Sequence, residues 1–314
     1  MAELNCDVVV VNHNTRDLLG SCLESAVAEP AGAVVVVDNA STDGSAEMVR
    51  ARFPQVRLVV NQANPGYGAA ANQGIRACAG RVVLLLNSDT RVERGALAAL
   101  GAYFQAHPAV GLAGPQLRYP NGAPQASCYA DPTPLHVLLE ETTLIRRIAA
   151  TPGLRELFVH TQLRHRAGQV PWVLGAALAV RRSAFEVVGG FDERFFMYAE
   201  EVDLSYRLRA AGWETHFTPA AAVMHVGGAS TRQRRAAMAR QYFRSLMLFY
   251  QLHYSRQRQA ALAGIIKGVV GLRWLRDRVR LWRQPPAQQG ALREDLEAWQ
   301  QIFTSSASGE LVQG

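Results

Sequence analysis

The chain has 314 residues, 49% of them hydrophobic, with 33 Lys plus Arg against 26 Asp plus Glu, which supplies a packed core and excludes a disordered polymer. The net charge of +7 is uneven: residues 1–230 hold 19 Arg and 21 acids (−2), whereas residues 231–314 hold 13 Arg, one Lys and five acids (+9). A uniformly basic nucleic-acid binder is therefore disfavoured, and no nucleic-acid partner is expected. Cys6, Cys22, Cys78 and Cys128 are widely spread with no Cys-x-x-Cys pair, so neither a zinc ribbon nor a disulfide scaffold is written, and a reducing cytosol fits.

From Met1 the chain runs through Asp7 into a valine run with no basic segment and no cleavage site, so no signal peptide is expected. Nearly pure aliphatic runs at Val8–Val11, Val34–Val37, Val56–Val60 and Val82–Leu86 predict strands buried on both faces. Between them, segments Asp17–Ala28, Ser45–Arg52, Ala69–Cys78 and Arg94–Ala106 predict helices, with Thr15, Asp43 and Gly44 as capping or turn residues. Strands alternating with helices predict an α/β fold with a mostly parallel sheet.

From Gly114 to Pro134 five prolines predict irregular chain, followed by a basic stretch to His165, and residues 114–168 read as an insertion. Regular structure resumes with a strand-like run from Val170 to Val180, a helix capped by Ser183, a break at Gly189-Gly190 and a helix from Glu201 to Ala211. Short strands at Thr215–Thr218 and Ala222–Val226 follow. Beyond Gly228 the composition becomes Arg-rich helix with scattered aromatics. The apolar stretch Ala260–Leu272 is interrupted by Lys267 and is shorter than the ~20 residues a membrane-spanning helix needs.

Polar residues gather at the C-terminal ends of the predicted strands: Asn12 and Asn14, Asp38 and Asn39, Asn61 and Asn64, Asn87 and Asp89. In an open α/β sheet ligands bind at that edge, although each of these residue types also makes turns there. No Gly-x-Gly-x-x-Gly follows the first strand and no Gly-Lys-Ser/Thr loop is present, so a Rossmann dehydrogenase or P-loop nucleotidase lacks its phosphate-binding device. Asp38 can instead accept hydrogen bonds from a pyrimidine imide or a ribose hydroxyl, and Asn64-Pro-Gly-Tyr-Gly68 allows close backbone approach. Asn87 and Asp89, at i and i+2, offer oxygen ligands suited to Mg²⁺ or Mn²⁺ shared with phosphates. His225 at a strand end can complete such a shell, or simply pack. Glu200, Glu201 and Asp203 open a helix, where acids favour the dipole and one can face a pocket as a general base.

These strings, in this order, resemble glycosyltransferase family 2, the inverting enzymes of the GT-A fold, and most closely its rhamnosyltransferase-like branch. The likeness covers residues 6–230. It is carried by V-V-N-H-N at the start, V-D-N-A-S-T-D-G-S at 37–45, N-P-G-Y-G-A-A-A-N-Q-G at 64–74, L-L-N-S-D-T at 85–90, G-A-A at 175–177, G-G-F-D-E-R-F-F-M-Y-A-E-E-V-D-L-S-Y-R-L at 189–208 and H-V-G-G-A-S at 225–230.

The resemblance implies a nucleotide-diphospho-sugar donor, a divalent cation, and transfer of one sugar to a hydroxyl of a cell-surface or lipid-linked glycan with inversion. It fits a catalytic domain at residues 1–230, with the irregular insertion at 114–168, and composition and charge set apart a basic amphipathic helical extension at 231–314. Asp38 then resembles the base- or ribose-binding aspartate, with Val11, Asn12 and Asn14 beside it. Asn64, Gly66 and Asn72 resemble the nucleotide-lining loop and helix start. Asp89 resembles the last acid of the Asp-x-Asp metal motif and His225 an added metal ligand.

The family's base comes from the second position of a Glu-Asp pair, here Glu201, so this sequence departs by one methylene, about 1.5 Å of reach. Glu200 remains the alternative base. Asn87 also stands where an Asp is often found. Trp172 and the Gly175-Ala176 step are expected under the sugar or acceptor, unless Trp172 is a core residue. Other donors of the family (UDP-galactofuranose, UDP-glucose, UDP-GlcNAc) and a non-catalytic nucleotide-sugar binder remain open. Membrane spans and a Gln-x-x-Arg-Trp motif are lacking, which disfavours a processive synthase. Between Thr231 and Arg283, 12 Arg and one Lys face only Asp277 among aromatic and aliphatic residues, so the tail either lies on an anionic membrane surface or covers the catalytic domain. A cytoplasmic protein, peripheral on the inner face of the plasma membrane, is the expectation.

Overall fold

A computed structural model describes residues 6–141, 166–227, 235–285 and 289–308. The expected basic stretch up to His165 lies largely outside them, as do Gly228–Ser230 of the last quoted motif. The chain divides into two compact units, one built from residues 1–131, 160–196 and 200–230, the other from 132–159, 197–199 and 231–314.

The first unit is an α/β structure around one mixed sheet. Its strands are β1 (Cys6–Asn12), β2 (Val34–Asp38), β3 (Arg57–Val60), β4 (Val82–Asn87), β5 (Thr90–Val92), β6 (Val110–Arg118), β7 (Pro124–Gln125), β8 (Cys128–Tyr129), β9 (Gly168–Gln169), β10 (Trp172–Val173), β11 (Ala177–Arg181) and β12 (Glu214–His225). Its helices are α1 (Arg16–Val27), α2 (Ser45–Arg52), α3 (Tyr67–Ala77), α4 (Ala96–Ala106), α6 (Arg182–Val187) and α7 (Glu200–Ala210), with α5 (Pro134–Glu141) assigned to the other unit. The main sheet runs β3-β2-β1-β4-β11-β6-β12-β5, parallel from β3 to β4 and then mixed, with β7 on β6 and β9 on β12, while β8 and β10 form a separate two-stranded sheet.

The aliphatic runs are buried on both faces because alternate residues feed two cores. Val8, Val10, Val36, Leu84 and Leu86 join one core with Leu19 and Leu23 of α1 and Leu100 and Phe104 of α4. Val9, Val35, Val37, Val83 and Leu85 join the other with Ile75 of α3 and Leu204 and Leu208 of α7. Leu84, Leu85 and Leu86 are fully buried, each contributing about 1.5–3 kcal/mol. At the N-terminal edge of the sheet the buried Asp7 accepts from the backbone N–H groups of Ala33, Ala79 and Gly80 at 2.8, 2.9 and 2.6 Å, which leaves the opposite edge for ligands. All four cysteines are buried and reduced.

Several elements differ from the sequence expectation. Residues 114–118, expected to be irregular, complete β6. Pairing with β11 covers Leu112 and Ala113, so Pro115 lies beyond that ladder, where its missing N–H costs little. The run 170–180 breaks at Gly175 into β10 and β11, with β9 just ahead of it. Ser183 lies inside α6 rather than capping it. The two expected late strands are one long strand, β12, whose register against β6 shifts between Thr218 and Ala222, where Pro219 interrupts the ladder.

The second unit contains α5, α8 (Arg235–His253), α9 (Arg256–Arg283) and α10 (Gly290–Ser308). Its core holds Phe243, Phe249 and Tyr250 of α8, Ile266 and Val270 of α9, and Trp299 and Ile302 of α10. Asp277 of α9, 1% exposed, accepts from Arg276 Nε at 2.8 Å and from Trp299 Nε1 at 3.2 Å, which ties α9 to α10. Among the described residues no helix is long and apolar enough to cross a membrane.

Candidate active site

The C-terminal ends of β1, β2 and β4 are joined by one buried polar network. Asn12 Nδ2 donates to Asp38 Oδ1 at 2.7 Å and to Ser41 Oγ at 3.1 Å. Asn12 Oδ1 accepts from Thr15 Oγ1 at 2.7 Å, and that hydroxyl also meets Ser88 Oγ at 2.6 Å. Asp38 further accepts from Ser41 Oγ at 2.7 Å and Ser41 N at 3.0 Å. A carboxylate offers about four acceptor positions, and three of those of Asp38 are filled by these donors. Val11 is buried beside this network. Asn14, at φ 53, braces the neighbouring loop by accepting from Thr42 N at 2.8 Å.

Asn64 Oδ1 accepts from Gly66 N at 2.9 Å, closing the turn before α3. At Gly66, φ is 95 and a Cβ would stand 2.3 Å from the Phe196 carbonyl oxygen, so only glycine lets this loop pass the segment that precedes α7. Asn72 is occupied by that same segment: its amide donates to Phe191 O and Glu193 Oε1 and accepts from Phe191 N, each at 2.9 Å. Asn72 therefore brackets the 191–193 loop with its polar atoms.

β5 pairs antiparallel with β12 and sets His225 opposite Thr90. This brings His225 Nε2 within 3.5 Å of Asp89 Oδ1, both side chains 10% exposed. Gln125 Oε1 lies 3.2 Å from His225 Nδ1; a proton on Nδ1, donated there, leaves Nε2 with its lone pair. Two ligands of one small cation at about 2.1 Å each stand roughly 3 Å apart, so Asp89 and His225 fit neighbouring positions in one shell. Among the described residues no third His, Cys, Asp or Glu joins them. That donor set suits a cation completed by phosphate oxygens. Asn87, half-buried, ends β4 two residues before Asp89.

Glu200 and Glu201 start α7, 5% and 8% exposed. Glu201 Oε1 accepts from Gly175 N at 3.3 Å, while Oε2 of each glutamate is buried with no protein partner. A Cβ on Gly175 would lie 3.3 Å from Glu201 Oε1, so a glycine here makes room for the longer acid. Burial, then the charge of Glu201, raises the Glu200 carboxyl well above its ordinary range. Burial also raises Glu201, but backbone hydrogen bonds, among them that of Gly175, hold it back. Both shifts favour the neutral acids, and the two neighbouring carboxyls titrate as a pair. The third acid, Asp203, pairs with Arg207 at 2.7 Å and is structural. Just ahead of α7, Tyr198 and Ala199 adopt φ 70 and 62, backbone that costs on the order of 1–3 kcal/mol each for non-glycine residues.

Gly175 and Ala176 connect the two halves of the site. Gly175 N holds Glu201, and Ala176 O accepts from Asn87 N at 2.9 Å. Glu201 and the strand end that leads to Asp89 are thus attached to consecutive residues, about 3.8 Å apart along the chain. Trp172 stacks on Tyr129, with ring centroids 4.5 Å apart, and donates to Ala130 O at 2.6 Å, so one ring face and its N–H are already engaged. Sequence reasoning missed four contributors. Ser41 and Tyr67 lay within quoted motifs, but their partners are distant in sequence. Tyr67 OH donates to Gly175 O at 3.1 Å, and Gly175 thereby has both backbone groups held by side chains. Thr15 carries only a cap signal in the sequence, and Gln125 stands in the proline-rich stretch expected to be irregular.

The family model described as glycosyltransferase like family 2 matches residues 5–245. The chain belongs to glycosyltransferase family 2. The transferase is 34% identical over 262 residues, 76% of its length and 81% of the relative's, to an N-acetylglucosaminyl-diphospho-decaprenol L-rhamnosyltransferase of Mycobacterium tuberculosis. A shorter likeness, 45% over 56 residues, joins it to the rhamnosyltransferase WbbL of Escherichia coli K12, covering 18% of the transferase and 21% of that relative. Among solved structures it resembles GalNAc-T7 with UDP, GalNAc and Mn²⁺ (TM-score 0.59, 15% identity, 98% of the transferase and 56% of that longer chain). It also resembles the mannosyltransferase PcManGT of Pyrobaculum calidifontis with GDP-Man and Mn²⁺ (TM-score 0.54, 16% identity, 99% and 88%). The fold is GT-A, as the motifs implied.

Proposed function

We propose that the transferase moves a rhamnosyl group from a nucleotide-diphosphate donor to a hydroxyl of a lipid-linked or cell-surface glycan, with inversion, in the cytoplasm at the inner face of the plasma membrane. The observation that carries the chemistry is the buried Glu200–Glu201 pair: each keeps one carboxylate oxygen without a protein partner, and the other oxygen of Glu201 is held by Gly175 N, next to the residue that bonds the end of β4. The rhamnosyl donor and lipid-linked acceptor are supported by the relative's name and by the 34% identity over 76% of the chain.

Asp38, through its remaining acceptor position, and the glycine-opened loop at Gly66 bind the nucleotide. Asp89 and His225 would hold Mg²⁺ or Mn²⁺, and the ion, when bound, would offset charge developing on the leaving phosphate oxygen. Glu201 Oε2 takes the proton of the acceptor hydroxyl as that oxygen forms its bond to the anomeric carbon from the face opposite the leaving diphosphate. The bond to the diphosphate breaks in the same displacement, which inverts the configuration. Glu200, protonated, presents no second negative charge to the base. Trp172 offers its remaining ring face to sugar or acceptor.

Thermal-shift screening tests this reading directly. dTDP-rhamnose with Mn²⁺ or Mg²⁺ is expected to raise the melting temperature, with about 2.7 kcal/mol of stabilisation at a hundredfold excess over Kd, and to support transfer. A shift with a UDP-sugar alone would reassign the donor within the family. Binding without any transfer or hydrolysis would point to a nucleotide-sugar binder, and no shift with any nucleotide sugar would end the proposal.

A further inference from the structure

Helix α9 presents two chemically different faces. Leu262, Ile266, Val269, Val270 and Asp277 are buried within the helical unit. Leu272, Leu275, Val279 and Trp282 are 65%, 55%, 43% and 93% exposed. Their spacing of three, four and three residues sets them in one line along the helix, about 15 Å long. The line continues toward the N-terminus through Gly268, where a Cβ would meet nothing within 4 Å. Helical geometry puts Arg276 and Arg283 on one flank and Arg278 on the other, all exposed. The whole helix carries seven Arg and one Lys against one acid, and that acid, Asp277, is buried.

We infer that this face of α9 is a docking surface for an anionic lipid bilayer, with the apolar line entering the headgroup boundary and Arg278 and Arg283 lying against lipid phosphates. An exposed apolar stripe between cationic flanks, ending in a tryptophan, matches the chemistry of that boundary. The charge argues against a second copy of the chain as the occupant: two such stripes laid together would set arginines against arginines. The inference rests on the proposed membrane-borne acceptor and adds which surface brings the enzyme to it.

The test uses the full chain with vesicles of phosphatidylcholine alone and of phosphatidylcholine with phosphatidylglycerol. Wild-type protein is expected to co-sediment with the second kind only, to release at raised salt, and to shift its tryptophan emission to the blue on binding. Leu275→Ser with Trp282→Ser, and separately Arg278→Glu with Arg283→Glu, are expected to weaken binding about tenfold or more. Their circular dichroism and their transfer to a water-soluble acceptor should match wild type. Wild-type binding that both variants retain would overturn the α9 surface and leave the membrane-borne acceptor standing. Failure of the wild type to bind any vesicle would overturn both. A dimer in sedimentation equilibrium that the same variants dissolve would make the stripe an interface between copies and overturn the inference.

Discussion

At the level of single residues, the two neighbouring glutamates carry opposite expectations. Glu201 must lose its proton to act, and its carboxyl is raised, so transfer should fall on acidification through an apparent pKa above the ordinary glutamate value of 4.5. Glu201→Gln is expected to lower kcat by about 10²–10⁴. Burial raises the Glu200 carboxyl too, so the neutral Glu200→Gln should preserve kcat; loss of activity there would move the base to Glu200. The stability signs run the other way. A carboxyl whose folded pKa is raised favours the fold below the unfolded pKa, and that gain is lost as pH rises through the folded pKa. Glu201→Gln should therefore melt higher than wild type at pH 8 while being inactive, and scanning calorimetry at pH 5 and 8 checks it. Tyr67→Phe strips Gly175 O of a hydrogen bond, a loss of about 1–3 kcal/mol if that oxygen stays dry. Since Gly175 N orients Glu201, kcat is expected to fall more than donor KM rises, and steady-state kinetics separate the two.

At the level of elements, the helical unit depends on the join between α9 and α10. Burial pushes the Asp277 carboxyl up, but hydrogen bonds from Arg276 and Trp299 and the charges of Arg276 and Arg280 more than offset this and leave it below the ordinary range. A depressed carboxyl stabilises above the unfolded pKa and ceases to do so as pH falls through the folded one. Asp277→Asn should cost about 1–3 kcal/mol at pH 7 and progressively less below pH 4. Tryptophan fluorescence can follow it, because Trp274, Trp282 and Trp299 sit in this unit.

The elements also explain what was readable in advance. β1, β2 and β4 were legible because strands buried on both faces are written as unbroken aliphatic runs, and α2 because Asp43 and Gly44 mark its start. β5 was not, since three residues with one exposed member have no periodic signature, and its meaning comes from pairing with β12 more than 130 residues away. That pairing is what sets His225 beside Asp89. The carboxylates at the strand ends and at α7 were legible as types in order. That Asp38 is tied to Asn12 and that Asn72 brackets the 191–193 loop was not, because both are decided by partners distant in the chain.

At the level of the whole molecule, charge is divided along the chain: residues 1–230 carry −2 and residues 231–314 carry +9. The first unit also stores its thiols out of reach. Burial pushes Cys6, Cys22 and Cys78 up to about 12, and Cys128 is buried as well. A thiol attacks only as thiolate, so at pH 8 a water-soluble disulfide reagent should leave the native protein unlabelled for as long as the sheet stays closed. Each cysteine marks a different part of that unit: Cys6 the first strand, Cys22 the helix α1 packed over it, Cys78 the end of α3 and Cys128 the short β8. Timed labelling with mass spectrometry would then read the order in which those parts open. Nucleotide sugar, by bridging the strand ends, should slow Cys22 and Cys78 together. The reduced cysteines that ruled out a disulfide scaffold thereby become reporters of how the ligand holds the enzyme closed.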